Sequence, residues 1–405
     1  MELFTSNETK RNLVLSMSTF GFVVCFAVWV IFSIIGKPIQ AELGLSNTEF
    51  GVLIGTPILT GAFLRPLFGA LSDRFGGRRV FFLLMISALP PLYLIGGWAS
   101  AYWHFLVLGL FVGIVGTSFA VGISYVVKWF PKERQGFAMG IFGSGNVGTA
   151  LTQFAAPILI AAYGWRMVPK VYAVILLMVA IIFLLFTFTD ESHRTNTKIS
   201  EQFAVMKDPK AWRYFQYYSL TFGGFIALAL WMPSYYMSAY GFTLQDGALM
   251  AMVFALPGSL IRAYGGWLAD KYGAFKVTRS IMWVALFCLT IISYPPSDVI
   301  FHTLNGDIVI PIHINMWVFT GVLMVLGLAL GIGNASIFKY AADDFPKNTG
   351  AVFGAIGLGG GLGGYLLPII FGAILDYTGI YTTAFMFLWG VAAVSLTALY
   401  WSKQN

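Results

Sequence analysis

The chain has 405 residues, 58% of them apolar and only 10% charged, with a formal net charge of +7. Soluble domains carry roughly 25% charged residues, so this composition excludes a soluble enzyme and describes a polytopic membrane protein. The basic excess is dispersed over many loops, which makes it a topology signal that needs no nucleic-acid partner.

At about 20 residues per crossing, twelve apolar stretches are long enough to span a bilayer. They run over 12–36, 48–71, 79–98, 102–128, 136–162, 168–188, 212–238, 245–269, 278–296, 312–342, 349–374 and 379–401. The polar start MELFTSNETKR is followed by an apolar run too long for a cleavable signal, so the first stretch is read as the first span. If both termini are cytoplasmic, that side collects nearly all the Lys and Arg, from Lys10 and Arg11 through Arg74, Arg78, Arg79, Lys128, Arg213, Lys271 and Arg279 to Lys403. The opposite face keeps only Lys37, Arg166 and Lys170, an asymmetry that places both ends inside a cytoplasmic (inner) membrane.

The second and eighth spans each hold one arginine alone in an apolar interior, Arg65 and Arg262. The segment LRPLFGALSDRFGGRRV at 64–80 reappears in degraded form as IRAYGGWLADKYGAFKV at 261–277, so that Arg65 and Asp73 match Arg262 and Asp270 at one offset of 197. A guanidinium cannot shed its proton at ordinary pH, and burying one in a bilayer is costly enough that it marks a functional site. A symmetric pair of permanent cations reads as an anion site at a repeat interface. Further along, FPKERQGFAMGIFGSGNVG at 130–148 recurs as FPKNTGAVFGAIGLGGGLGG at 345–364, and SDVIFHTLNGDIVIPIHIN lengthens one outer loop of the second half. The repeats define a first half at 1–189, a charged cytoplasmic linker at 190–211 and a second half at 212–405. Two six-helix halves joined in this way are the architecture of a carrier that holds substrate between them near the midplane.

The loop Gly69-Ala-Leu-Ser-Asp73-Arg74-Phe-Gly-Gly-Arg78-Arg79 resembles the signature between the second and third helices of the major facilitator superfamily, with a weaker copy at Gly266 to Lys276. Asp73, Arg74, Arg78 and Asp270 are read from it as a cytoplasmic gate, with Asp73 pairing with arginines and a helix end. Gly143, Gly145 and Gly148 in one span, and Gly357, Gly359, Gly360 and Gly361 in its partner, let helices approach closely or expose backbone to a cavity. Together with both arginines, these glycine stretches resemble the paired motifs of the nitrate/nitrite porter family, the NarK type, over essentially the whole chain. The resemblance implies an all-α membrane protein with twelve transmembrane helices in two pseudo-symmetric halves.

By that resemblance Arg65 and Arg262 would clamp a flat monoanion, nitrate or nitrite, between them. Asn146 and Tyr218 would donate to it or orient it, with Tyr217 beside Tyr218 leaving a one-residue ambiguity, and Phe119 and Phe338 would sandwich it. The chemistry fits independently, because a guanidinium offers two N–H donors in a fork that matches two coplanar oxygens. Asp and Glu fall in loops, at span ends or in the gates, so a mid-membrane carboxylate relay is absent. No nucleotide loop appears, Cys25 and Cys288 form no metal or disulfide pattern, and no spacing among the four histidines makes a metal site; no cofactor and no enzymatic activity are implied. Lys339 is the candidate coupling residue, since a buried lysine, unlike arginine, can lose its proton. The segment ending in Phe338-Lys339 resembles the branch of the family associated with proton–nitrate symport, and that resemblance implies proton-coupled nitrate uptake, with nitrate/nitrite exchange and a small organic-anion carrier of the same superfamily as alternatives. The bilayer, the anion and protons are the partners this reading calls for; it calls for no obligatory protein partner.

Overall fold

The computed structural model describes residues 6–131, 134–189, 207–304, 306–345 and 349–404. The linker expected at 190–211 falls mostly outside them, except that a helix already begins at Pro209, capped by Asp208, whose carboxylate accepts from the Lys210 amide at 2.8 Å. Residues 132–133 and 346–348 of the two Phe-Pro-Lys motifs are likewise outside the described set.

The chain is helical nearly throughout. In order come α1 (Asn7–Leu43), α2 (Asn47–Phe63 with Arg65–Phe75), α3 (Gly77–Gly97), α4 (Tyr102–Val127), α5 (Ala138–Tyr163) and α6 (Met167–Phe186). The second half holds α7 (residues 209–240), α8 (Leu244–Leu260 with Arg262–Tyr272), α9 (Ala274–Ile292), α10 (Met316–Asp344), α11 (Val352–Thr378) and α12 (Thr383–Trp401). Nine of these are single helices long and apolar enough to cross a bilayer, and the bent pairs α2 and α8 bring the number to eleven. The remaining rod, α7, is continuous but contains a π-helical turn at Ser219–Gly223; with it the fold is consistent with twelve spans.

The repeat read from the sequence is a repeat of geometry. Ser46 caps α2 by accepting from the Glu49 amide while Glu49 accepts from the Ser46 amide; 197 positions later Thr243 accepts from the Asp246 amide to start α8. The helices then bend by 44° and 43° just before Arg65 and Arg262. Both end on a glycine with φ 90°, Gly76 and Gly273, a left-handed region that a β-carbon disfavours. Pro66 accounts for the first bend, since it lacks the N–H that a straight helix would use, whereas the second half has Ala263 at the matching place and Pro257 five residues before Arg262.

Helices α1 and α7 run through the middle of the bundle. Residues 24–36 of α1 and 220–236 of α7 are buried without exception, so these segments have no lipid-facing side. The halves meet mainly along α2 with α11 and along α5 with α8. Their closest approach lies toward the end of the bundle away from the chain termini, here the far end. A β-carbon on Gly51 would fall 2.3 Å from the Pro368 carbonyl oxygen, and one on Gly372 would fall 2.1 Å from that of Asn47. At the same end Asp376 of α11 accepts four hydrogen bonds from the start of α2: from the Asn47 amide and Nδ2 (3.1 and 2.8 Å) and from the Thr48 amide and Oγ1 (2.8 and 2.5 Å). At the near end the halves are looser, and β-carbons on Gly69, Gly266 and Gly354 would meet nothing within 4 Å.

One element departs from the all-α expectation. The lengthened loop of the second half is a β-hairpin, β1 (Ser297–Thr303) paired antiparallel with β2 (Gly306–Ile312). Its signal is present in the sequence, where Asn305-Gly306 lies between apolar β-branched runs.

Candidate functional site

Helical regularity fails in five helices, and five of the six expected anion-site residues sit at those failures. Arg65 and Arg262 begin the segments that follow the two bends. Asn146 lies in a 3₁₀ turn, Ser144–Val147, within α5, and Phe119 follows another, Ile114–Thr117, within α4. Tyr218 immediately precedes the π-helical turn of α7. Such interruptions re-aim side chains that a regular helix would send elsewhere, and they gather at functional sites.

Both arginines are buried, with 5% and 7% of their surface exposed. Each faces across the seam into the opposite half. Arg65 Nη1 donates to the Gly357 carbonyl oxygen of α11 at 3.3 Å, and its guanidinium lies 5.4 Å from the ring of Phe222 on α7. Arg262 lies against Gly143 of α5, where an added β-carbon would come within 3.7 Å of Nε, and 5.1 Å from the ring of Phe119 on α4. That same Phe119 ring is 5.9 Å from the Arg65 guanidinium, so one aromatic ring serves both cations. Trp29 of α1 supplies a further ring to Arg65 at 5.4 Å. Desolvated cation–π contacts of this kind are worth about 2 kcal/mol each and offset part of the cost of burying the charges.

The cations are nevertheless left without counter-charge. Among the described residues no carboxylate pairs with either, and Arg65 Nε and Arg262 Nη1 have no hydrogen-bond partner. Arg262 Nη2 donates to the Tyr218 hydroxyl at 3.3 Å. That contact picks out Tyr218 rather than Tyr217, whose ring packs against Tyr214 instead. Asn146 is buried with its Oδ1 unpartnered, in a turn packed between α1 and the first segment of α8. Two donor forks with free N–H groups, flanked by flat rings, can hold a small planar anion.

Phe338 stands differently from its expected place. Its ring meets Tyr218 edge-on at 5.0 Å and Phe353 at 4.8 Å, so it buttresses Tyr218; among the described residues it makes no cation–π pair with either arginine. Tyr218 is stacked on its other side against Phe222 at 5.1 Å. Trp29 and Phe222 were not singled out in the sequence, where each is one aromatic within a long apolar run without a periodic signal.

The glycines divide into two sets. Gly145 and Gly148 press on α1, where β-carbons would fall 2.3 Å from the Phe22 ring and 2.2 Å from the Val23 carbonyl oxygen. Gly359, Gly360 and Gly361 press in the same way on Phe215, Tyr218 and Ala62. Only Gly143 and Gly357 face the arginines with room for a methyl group.

The near-end charges need two corrections. Asp73 pairs with Lys128, which caps the end of α4, at 2.8 Å rather than with an arginine. Arg74 lies over the Phe75 ring, while Arg78 donates to the Leu184 carbonyl and to Thr189, tying α3 to the end of α6. Lys339 is not buried: 39% of its side chain is exposed, and its Nζ is 2.6 Å from Asp343 one helical turn away and 3.8 Å from Asp270. A lysine at a helix end with an acid at i+4 forms this pair by geometry alone. Asp73 with Lys128 and Asp270 with Lys339 therefore link the second and fourth helices of each half, and neither pair crosses between halves.

Comparison with known proteins agrees with this architecture. Residues 17–306 match the Major Facilitator Superfamily profile. A probable nitrate/nitrite antiporter, NarK1, from Thermus thermophilus is 35% identical over 95% of this chain and 90% of its own length. The chain belongs to the nitrate/nitrite porter family of the major facilitator superfamily. Another member, a nitrite extrusion protein of Bacillus subtilis, is 30% identical over 97% of this chain and 94% of its own. The fold is also that of a bacterial homologue of the human lysosomal transporter Spinster, in an inward-facing and occupied conformation, with a TM-score of 0.72 over 98% of this chain and 97% of the other, at 14% identity.

Proposed function

We propose that the protein carries nitrate, and nitrite, across the cytoplasmic membrane by alternating access, with the anion held between Arg65 and Arg262. The observation that carries this reading is the pair of buried guanidiniums, each with an unused N–H group, converging on the single ring of Phe119. The names of these two family members support the choice of anion. Nitrate is planar and weakly hydrated, so a dry aromatic chamber with two donor forks suits it. Doubly charged, strongly hydrated anions would lose too much on entering.

In the state described, the far end is sealed by α2 against α11 and the near end is looser. With the termini inside, as the distribution of Lys and Arg argues, this is a carrier closed to the outside. Two like charges on the order of 10 Å apart repel by roughly 2 kcal/mol at an effective dielectric constant of about 20. An empty chamber therefore resists tightening around itself, and a bound monoanion relieves it. With Lys339 at the surface and, among the described residues, no acid paired with either arginine, exchange of one anion for another is the coupling we favour over proton symport. Nitrate uptake into proteoliposomes with and without internal nitrite, each under an imposed pH gradient, tests this. Uptake that requires internal nitrite supports exchange, whereas uptake driven by the gradient alone supports symport.

A further inference from the structure

Lys37 is a cation that the arginine site does not use. It lies in the last turns of α1, one residue beyond the run 24–36 that is buried on every side, and is itself half-buried. Its Nζ donates to the neutral Oε1 of Gln40 at 3.0 Å and lies 5.1 Å from the ring of Phe50. That ring is fully buried and reaches across the seam to Trp231 of α7 at 5.7 Å. Among the described residues no carboxylate is within ion-pairing distance of Lys37. A half-buried ammonium held by an amide and an aromatic face has no fixed counter-charge here, and a mobile anion can supply one.

Two neighbours place this cation on the route to the arginines. Ser33 lies one turn below Lys37 on the same face of α1; it is fully buried, and its hydroxyl has no partner. Trp29, at the end of the preceding segment, is the residue beneath Arg65. Eight residues of helix separate Trp29 from Lys37, about 12 Å. Above, Gln40 Nε2 donates to the Leu45 carbonyl at 3.1 Å and approaches Asn47 Oδ1 at 3.5 Å, and Asn47 is held by Asp376 of the opposite half.

We propose that Lys37 is a second anion site at the far mouth of the carrier, where a small monovalent oxyanion docks before it reaches Arg65 and Arg262. The ammonium supplies attraction, and Phe50 and Trp231 supply flat apolar walls. The contacts from Gln40 through Asn47 to Asp376 tie this mouth to the closed arrangement of the halves. This inference rests on the proposed nitrate transport and on the far end facing outward.

Initial rates of nitrate uptake in right-side-out membrane vesicles test it, with Lys37→Gln, Lys37→Arg and Arg65→Lys beside the parent. In Lys37→Gln the KM for external nitrate should rise about three- to tenfold at low ionic strength, as expected for loss of electrostatic focusing in a charged cleft. The difference should shrink at about 0.3 M salt, where charges are screened within a few ångströms. Lys37→Arg should restore the parental KM, and inverted vesicles, which present the other face, should give the same KM for Lys37→Gln and parent. An unchanged KM in right-side-out vesicles at low salt overturns the proposal, and so does an equal rise on both faces, which would mark general damage. If Arg65→Lys transports at the parental rate, it is the nitrate reading that fails.

Discussion

Arg65 in the first half donates to the carbonyl oxygen of Gly357 in the second, 292 positions away, at 3.3 Å. Arg262, its counterpart, lies over Phe119 and beside Gly143 of the first half. Each half therefore inserts its cation into the glycine helix of the other. An anion bound to both would be gripped across the seam rather than by either half alone.

Replacing either arginine by lysine should nearly abolish nitrate transport while the protein remains inserted. Lysine keeps the charge but loses the planar fork, so charge alone should not rescue function. Transport assays normalised to the amount of purified protein check this; a variant working at near-parental rate removes that arginine from the clamp.

The two sets of glycines should separate by experiment. A methyl group at Gly361 would fall 2.1 Å from the Ala62 β-carbon, so Gly361→Ala must push α2 and α11 apart. Overpacking of that kind costs about 1–3 kcal/mol and should lower the melting temperature in detergent. At Gly357 the nearest atom is Arg65 Nη1 at 3.6 Å, ordinary contact. Gly357→Ala should accordingly melt near the parental temperature yet bind nitrate more weakly, because the methyl group occupies space beside the guanidinium.

How much of this was legible in the sequence depends on whether a feature repeats. The offset of 197 that joined Arg65 to Arg262 also joins their helix caps, bends and terminal glycines, because a duplicated helix keeps its start and stop signals along with its functional residue. Depth and direction were not legible in the same way. Nothing in a run such as FAVWVIF tells which aromatic meets a cation, and so Trp29 was missed. Lys339 was misplaced for a related reason: its neighbours in sequence are apolar on one side and acidic on the other, and only the fold shows that the acids win it. The hairpin was passed over because the loop was weighed by its length alone, although Asn305-Gly306 carried a strand-turn-strand signal.

Selectivity should follow size and hydration. Nitrite should compete with nitrate, since two oxygens still satisfy a donor fork. Sulfate and phosphate should compete poorly, because their second charge makes dehydration among aromatic rings costly. Inhibition of labelled nitrate uptake by each anion is the measurement, and strong inhibition by phosphate would point to a carrier of a different anion class.

Removing the carboxylate at the far end should bias the carrier toward opening there. Asp376→Ala deletes the acceptor of four hydrogen bonds from Asn47 and Thr48. A cysteine introduced at Ser33 should then react faster with a membrane-impermeant thiol reagent added from outside than the same cysteine with Asp376 intact. Both native cysteines are buried and give little background. Equal reaction rates would show that Asp376 does not hold the far end shut.

Lys339→Ala should leave nitrate transport and its response to a pH gradient close to parental. Its contact with Asp343 is an exposed pair one turn apart, of a kind worth only about 0.3–0.5 kcal/mol. Loss of a gradient response in this variant alone would return Lys339 to the coupling mechanism.

The enclosure of α1 and α7 bears on how the protein lives in its membrane. A bilayer of the wrong thickness acts on a helix through the side that touches lipid, by tilting it or by drawing acyl chains to match it. The segments carrying Trp29, Ser33 and Phe222 have no such side. Changes in lipid chain length would load the outer helices and leave the innermost pair unstrained, so that the path of the anion is insulated from the material it crosses.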